Sequence, residues 1–531
     1  MVLKHLIIVT CIFAFALADR KDKDGRTPLM YAAEYGHLDL VELAINMGID
    51  IEEKDNAGNN ALLLATGENN TDVVEFLLSK GANVEVMQKD GYTPLIYAAQ
   101  QGNLPLINSL ISHGANINTT DNEGTSALLW ATRKGYADIV DLLLLNGANI
   151  EGKDTDKTAL LMSAAGNGQS DLLIRLLSKG IDIESKDTDG KTPLMYAAQN
   201  GQSDLVALLL SVGADKETKD ASGRNALLWA AWNGQKDVVE MLLLNGSVVD
   251  VQDNGGQTSL IYAARQRHLP VVNLLITYEA DVNKTDSNET DAFLWAAKEG
   301  YIDIMDLLLS HGANIETKNY YDELPLTMAA ATGNLDLVIW LLSKGANIES
   351  KGYFSKTPLT YAAENGQIEV AMLLLSKGAD LEANTAFGRT PLIYAAMRGQ
   401  LDMVIRLLSK GANIEARGSF GDTPLMDAAK NNHLDVVRVL VSKGAKIEAK
   451  NELGHNALIF ASRNWAVDIV KLLLSHGSDI EVKSDLGQTP LIYAVRWNCV
   501  GVIEVLLNNG ANINAKDNEG KDAIMHAFFE R

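Results

Sequence analysis

The chain has 531 residues, 47% of them hydrophobic and 21% charged, with 68 acidic against 46 basic side chains and a formal charge of −22 at pH 7. So acidic a surface repels nucleic acid and anionic lipid and argues against both as partners, and two cysteines are too few for a disulfide framework. The length exceeds what one ordinary hydrophobic core organises, which leaves several domains or a repeat.

Residues 1–18 carry one cation, Lys4, an apolar run from Leu6 to Leu17, and the small-x-small site Ala16-Leu17-Ala18 ahead of Asp19-Arg20-Lys21-Asp22. This is the pattern of a secretory signal peptide cleaved before Asp19. The apolar run is about twelve residues, short of the roughly 20 that a spanning helix needs. The expectation is an exported chain, extracellular or periplasmic, whose mature part is 19–531, with no integral span and with Cys499 as its one thiol.

From Asp22 onward one unit recurs, and its clearest copy runs from Gly388 to Ile414. Thr390 offers an N-cap hydroxyl and Pro391 the first helical position, while Leu392, Ala395 and Ala396 give a short helix one apolar face. Gly399 stops that helix. Leu401, Val404, Leu407 and Leu408 recur at helical spacing, and Lys410 and Gly411 close a second helix. The threonine slot moves from Thr27 to Asp522 in fifteen steps of 33 without insertion, which makes 15 full repeats and a C-terminal half repeat. Helices this short cannot bury their apolar faces against each other alone, so each unit must stack on its neighbours.

A period of 33 with T-P-L-x-x-A-A and a later G-A resembles the ankyrin repeat pattern. The resemblance implies an all-α repeat solenoid of stacked helix-turn-helix ankyrin repeats with β-hairpin fingers, in which fingers and first helices line a concave groove. It further implies a non-catalytic scaffold for a protein or peptide partner. The chain departs from the pattern where the family often places histidine after T-P-L, having Met30, Ile96, Met195, Ile261, Thr360 and Ile393 there. Apolar packing is expected in place of a polar bridge between repeats.

The finger glycine is replaced by Lys157, Glu289, Asp322 and Ser355, and the eighth repeat has Arg267 and Glu279 in helix-ending slots that favour positive φ. A weak joint is expected within 267–355. Several polar rows invite a chemical reading and do not support one. Asp39 and its equivalents stand in the first turn of most second helices, stabilised by the dipole and a full repeat apart, too far to share a proton or a metal. Glu184 and Lys186, with their equivalents, are expected to neutralise each other along an extended finger. His113, His311 and His476 precede helix-closing glycines with no second ligand at metal spacing. The aromatic row from Tyr31 to Tyr493 is expected to stack between copies. No catalytic or nucleotide-binding motif occurs, so the chain reads as no enzyme, with no cofactor and no metal.

One asymmetry is not required by the repeat. At the finger tip, repeats one to nine carry Asp24, Ala57, Asp90, Glu123, Asp156, Asp189, Ser222, Gly255 and Asn288, whereas repeats ten to fifteen carry Tyr321, Phe354, Phe387, Phe420, Leu453 and Leu486. Six apolar tips in succession are poor turn residues and mark a candidate interaction surface. On the groove side of the first helices the same region presents Met397, Arg398, Lys430, Arg463, Arg496 and Trp497. Tips and floor together suit an acidic segment with apolar anchors. Two other readings stay open at this point: an exported structural or envelope spacer, and a host-directed secreted effector that acts through the same binding.

Overall fold

The computed structural model describes residues 21–149 and 154–529. The expected signal peptide lies outside them. Among the described residues there are 31 α-helices and no strand. They alternate between short first helices such as Pro28–Glu34 and Pro391–Met397 and nine-residue second helices such as Leu38–Asn46 and Leu401–Ser409.

Local chemistry starts most first helices as the sequence leads one to expect. Thr27 Oγ1 accepts from the Met30 amide at 3.3 Å, Asn60 Oδ1 from Leu63 at 3.0 Å, and Asp291 Oδ1 from Leu294 at 2.8 Å. Each pairs one of the amide groups that a helix start leaves open. The slot without histidine is apolar and closed: Met30, Ile96, Met195, Ile261 and Ile393 are all buried, as is Thr360. Leu and Val of the second helices complete the core, with Val41, Leu77, Val206 and Leu407 entirely covered.

The residues form two compact units, one up to Asn254 and one from Gly255. Within each, first helices of successive repeats lie side by side and each second helix packs on its own first helix, so the core is a row of repeat junctions. The stretch 267–355 lies within the second unit. In it Arg267, Glu279, Glu289, Asp322 and Ser355 hold φ between 55° and 62°, a conformation that costs a residue with a Cβ about 1–2 kcal/mol.

Two expectations change. The fingers are turns, not hairpin strands: Asp55 and Asn59 bond through their backbones at 2.9 Å, and one isolated bridge joins Thr120 to Ser126. Their amides are taken up by turn side chains instead of a second strand. In the fifth repeat the helix spans Asp154–Asn167, so Asp156 and Lys157 are helical and not a finger tip. With Lys157 where other turns have glycine, the chain enters the helix a turn early.

First-helix ends show why glycine usually sits there. A Cβ on Gly399 would lie 2.5 Å from His433 Nδ1 of the next repeat. The same slot holds Asn432 and Trp465, both at φ 62°, and the overlying positions 34 residues on are Ala466 and Cys499, small and buried. At these two positions the loss of glycine is matched by a smaller neighbour, whereas Arg267 in the same slot lies over the Tyr301 ring, 5.3 Å from its centre.

Candidate functional site

The site begins at the first residue of each turn. In repeats one to nine this is mostly aspartate, which accepts from two backbone amides: Asp220 Oδ1 takes the Ser222 and Arg224 N–H groups at 2.9 Å each. The other oxygen accepts from the aromatic residue nine positions on. Tyr31 donates to Asp22 at 2.7 Å, Trp130 to Asp121 at 3.3 Å, Tyr196 to Asp187 at 2.7 Å, Trp229 to Asp220 at 3.1 Å and Trp295 to Asp286 at 3.2 Å. Much of the aromatic row thus serves its own turn, while the expected stacking between copies is seen at Trp130 against Tyr92 and at Tyr493 against His455, ring centres 6.2 and 5.2 Å apart. Burial and then the Asp187 hydrogen bond push the Tyr196 phenol well above the usual range. Cations add to the clamp, with Lys191 and Arg224 at 3.6 and 4.1 Å from the Trp229 ring centre.

Repeats ten to fifteen begin their turns with Asn319, Gly352, Thr385, Gly418, Asn451 and Ser484, so the carboxylate is gone where the tips turn apolar. Five of the tips are tied to the next repeat through their carbonyls: Phe354 accepts from Ala386 at 2.9 Å, Phe387 from Ser419 at 2.6 Å, Phe420 from Glu452 at 2.8 Å, Leu453 from Asp485 at 3.1 Å and Leu486 from Asn518 at 3.0 Å. Their side chains remain outside, from 39% exposed at Phe387 to 64% at Phe420, with Tyr321 at 57%. Phe354 and Phe387 cover each other in part, ring centres 4.8 Å apart. Where the turn starts on glycine the tip itself is strained: Phe354 and Phe420 have φ 54° and 65°.

The floor is less free than its composition implies. Arg398 is paired to the largely buried Glu364 at 2.8 Å, and Lys356 holds the other oxygen of the same carboxylate. Burial opposes the charge on Glu364, yet these two cations prevail and hold its pKa down. Lys430 stands 5.4 Å from the Phe460 ring centre, Arg463 4.8 Å from that of Trp497, and Arg496 donates to Gln488 at 2.9 Å. Met397 is half-buried, and Trp497 is half exposed.

The tip reading passed over Tyr320, Tyr353 and Trp465, all more than half exposed; the first two directly precede tips, which was the available signal. It also passed over Asp427, which interrupts the aromatic row. That residue is buried with neither carboxylate oxygen hydrogen-bonded, and burial pushes its pKa up to about 6.

The other polar rows are structural. Glu184 Oε1 accepts from the Asp215 amide at 2.8 Å and Lys186 donates to the Lys219 carbonyl at 3.2 Å. These side chains reach the next repeat and not each other, because the twisted turn aims them forward. His113, His311 and His476 place Nδ1 2.8–2.9 Å from helix-end carbonyls. Cys499 is buried, which raises its thiol pKa. Among the described residues no group of three His, Cys, Asp or Glu is placed to hold a metal ion, and no helix is long and apolar enough to cross a membrane.

A family model described as ankyrin repeats, in three copies, matches the chain over residues 2–88, 80–154, 161–253, 227–319, 317–385, 381–451 and 448–517. No curated protein matches it.

Proposed function

The chain belongs to the ankyrin repeat family, whose repeats are protein–protein interaction modules, and from that premise we propose an exported, non-catalytic scaffold that holds a protein segment along the turns of repeats ten to fifteen. The observation that supports this most is the exposed apolar row at Tyr321, Phe354, Phe387, Phe420, Leu453 and Leu486, fixed in register by backbone bonds in a chain that is otherwise acidic. Contiguous apolar exposure of this kind is an interaction feature. The partner is an acidic segment with apolar anchors. Its anchors dock between the tips, and its charge is drawn to Lys430, Arg463 and Arg496. Arg398 supports the floor through Glu364 and contributes little to attraction.

The test is selection of acidic, apolar-anchored peptides on the full mature chain, followed by substitution. Phe387→Ala and Phe420→Ala should each weaken a selected peptide by more than roughly 1 kcal/mol, and Asp189→Ala should leave it unchanged. Binding that survives both phenylalanine substitutions sinks the assignment. Export rests on the apolar run from Leu6 to Leu17 and the Ala16-Leu17-Ala18 site. N-terminal sequencing of the natural protein should begin D-R-K-D; a chain that keeps Met1 would reject cleavage.

A further inference from the structure

Between repeats ten and eleven the backbone link from tip to tip is missing. On one side Asn288 O accepts from the Tyr320 amide at 2.9 Å, and on the other Phe354 O accepts from Ala386 at 2.9 Å, but Tyr321 and Tyr353 make no such bond. The turn there starts on Gly352, where a Cβ would lie 3.0 Å from the Asp322 carbonyl oxygen and 3.1 Å from the Tyr361 hydroxyl.

Here the two turns flank a cavity of about 330 Å³ whose lining includes Tyr321, Tyr353, Tyr361, Met328 and Glu323, with Thr327 beside them. Two of these rings are more than half exposed. Tyr361 stays a neutral phenol, since burial pushes its pKa up to about 12. Glu323 is held by Asn319 at 2.7 Å, which fixes a negative charge beside the rings. Lys356 lies 5.4 Å from the Tyr361 ring centre, but it is ion-paired to Glu364 and is not part of the wall.

Three tyrosine rings, a polarisable thioether and one carboxylate around a small cleft form a receptor for a weakly hydrated cation. The ring faces are negative, and the methyl groups of an alkylated ammonium remove the hydration that would otherwise compete. A metal ion would find one carboxylate where it needs several oxygens. We propose that this cleft binds a methylated ammonium group. The assignment does not depend on whether the tips farther along hold a partner.

The probes are choline, its uncharged carbon isostere in which a quaternary carbon replaces the nitrogen, and a short peptide carrying one trimethyllysine. Saturation-transfer NMR on the methyl protons of each, with the full mature chain, gives a Kd. Choline should bind about tenfold more tightly than its isostere. Tyr353→Ala should weaken choline by about tenfold and Glu323→Gln by a smaller factor; Phe420→Ala should leave choline unchanged. Tighter binding of the peptide than of choline assigns the ammonium to a protein lysine, and equal binding assigns it to a small molecule. Equal affinity for the isostere, no transfer to choline at tens of millimolar, or an unchanged Kd in Tyr353→Ala and Glu323→Gln overturns the proposal. Tyr353 is exposed and Glu323→Gln keeps shape, so neither substitution threatens the fold.

Discussion

Repeats one to nine and repeats ten to fifteen use the same helices and treat the same turn in opposite ways. At Asp220 one carboxylate binds two turn amides, the Trp229 indole and the Arg224 guanidinium. The charge is satisfied inside the repeat, and the tip, Ser222, has no packing duty. At Gly352 and Gly418 no carboxylate occupies that place, and the tip phenylalanines stand in the left-handed region with their rings partly in solvent. A turn held by its own carboxylate can have any polar tip. A turn without one leaves the tip conformation to be set by neighbouring repeats, and strain of this kind points to a use for the residue that carries it.

The sharpest way to break this contrast is to remove the carboxylate. Asp220→Ala leaves two turn amides and a buried indole N–H without an acceptor, and hydrogen bonds to a charged group contribute roughly 1.5–3 kcal/mol each. Local stability should fall by about 3 kcal/mol. Thr385→Ala removes one amide contact, Arg389 N–H to Thr385 Oγ1 at 3.3 Å, and should cost about 1 kcal/mol. Hydrogen exchange of the 220–224 and 385–389 amides measures both. Equal losses would mean that the two regions do not differ in what secures their turns.

Repeat thirteen sharpens the comparison, because its carboxylate has changed sides: the turn starts on Gly418 and the acid is Asp427, in the aromatic slot. Arg389 and Lys430 attract it and Asp422 repels it, yet burial dominates. A folded pKa of about 6 against a reference of 3.8 makes the neutral form the one that folding favours. The contribution is therefore full below about pH 3.8 and is lost as pH rises through about 6. The loss amounts to about 3 kcal/mol at pH 8 and under about 1 near pH 4. Asp427→Asn should raise stability of the second unit by about that much at pH 8 and change little at pH 4, read by denaturant titration at both values. A gain independent of pH would remove titration as its cause.

The helices were open to reading because their signals are local. Thr390, Pro391 and Gly399 declare a start and a stop, and a period of 33 aligns the copies. The tip row was equally plain, since Phe387 and Phe420 occupy slots where earlier repeats have Asp189 and Ser222. The pairing of Asp220 with Trp229 was not, although both rows lay in view. Their offset of nine residues matches neither helical nor strand spacing, and only a turn folding back on its helix brings them together. The exchange of Gly for Trp465 against Cys499 escaped for a similar reason, because it is a volume trade across 34 residues. The cleft at Tyr321 and Tyr353 escaped too, because it forms between the turns of two repeats that no local spacing joins.

The smallest expected effect separates a tip kept for binding from a tip kept for packing. Phe420 has φ 65° and ψ 9°, where a Cβ costs about 1–2 kcal/mol; glycine is at ease there but loses more backbone entropy on folding, about 0.5–1 kcal/mol. Phe420→Gly should therefore stabilise the second unit slightly, by roughly 0.5 kcal/mol. Phe354 shares the strain, but its ring lies 3.9 Å from that of Tyr353 and 4.8 Å from that of Phe387, so Phe354→Gly should gain nothing. Phe387, with no left-handed backbone to relieve, should lose stability on the same change. If Phe420 covers its neighbours, Phe420→Gly will destabilise the protein. If it serves a partner, the variant will be at least as stable as the parent and will bind a selected peptide more weakly. Thermal unfolding and peptide titration on the same three variants decide between these outcomes.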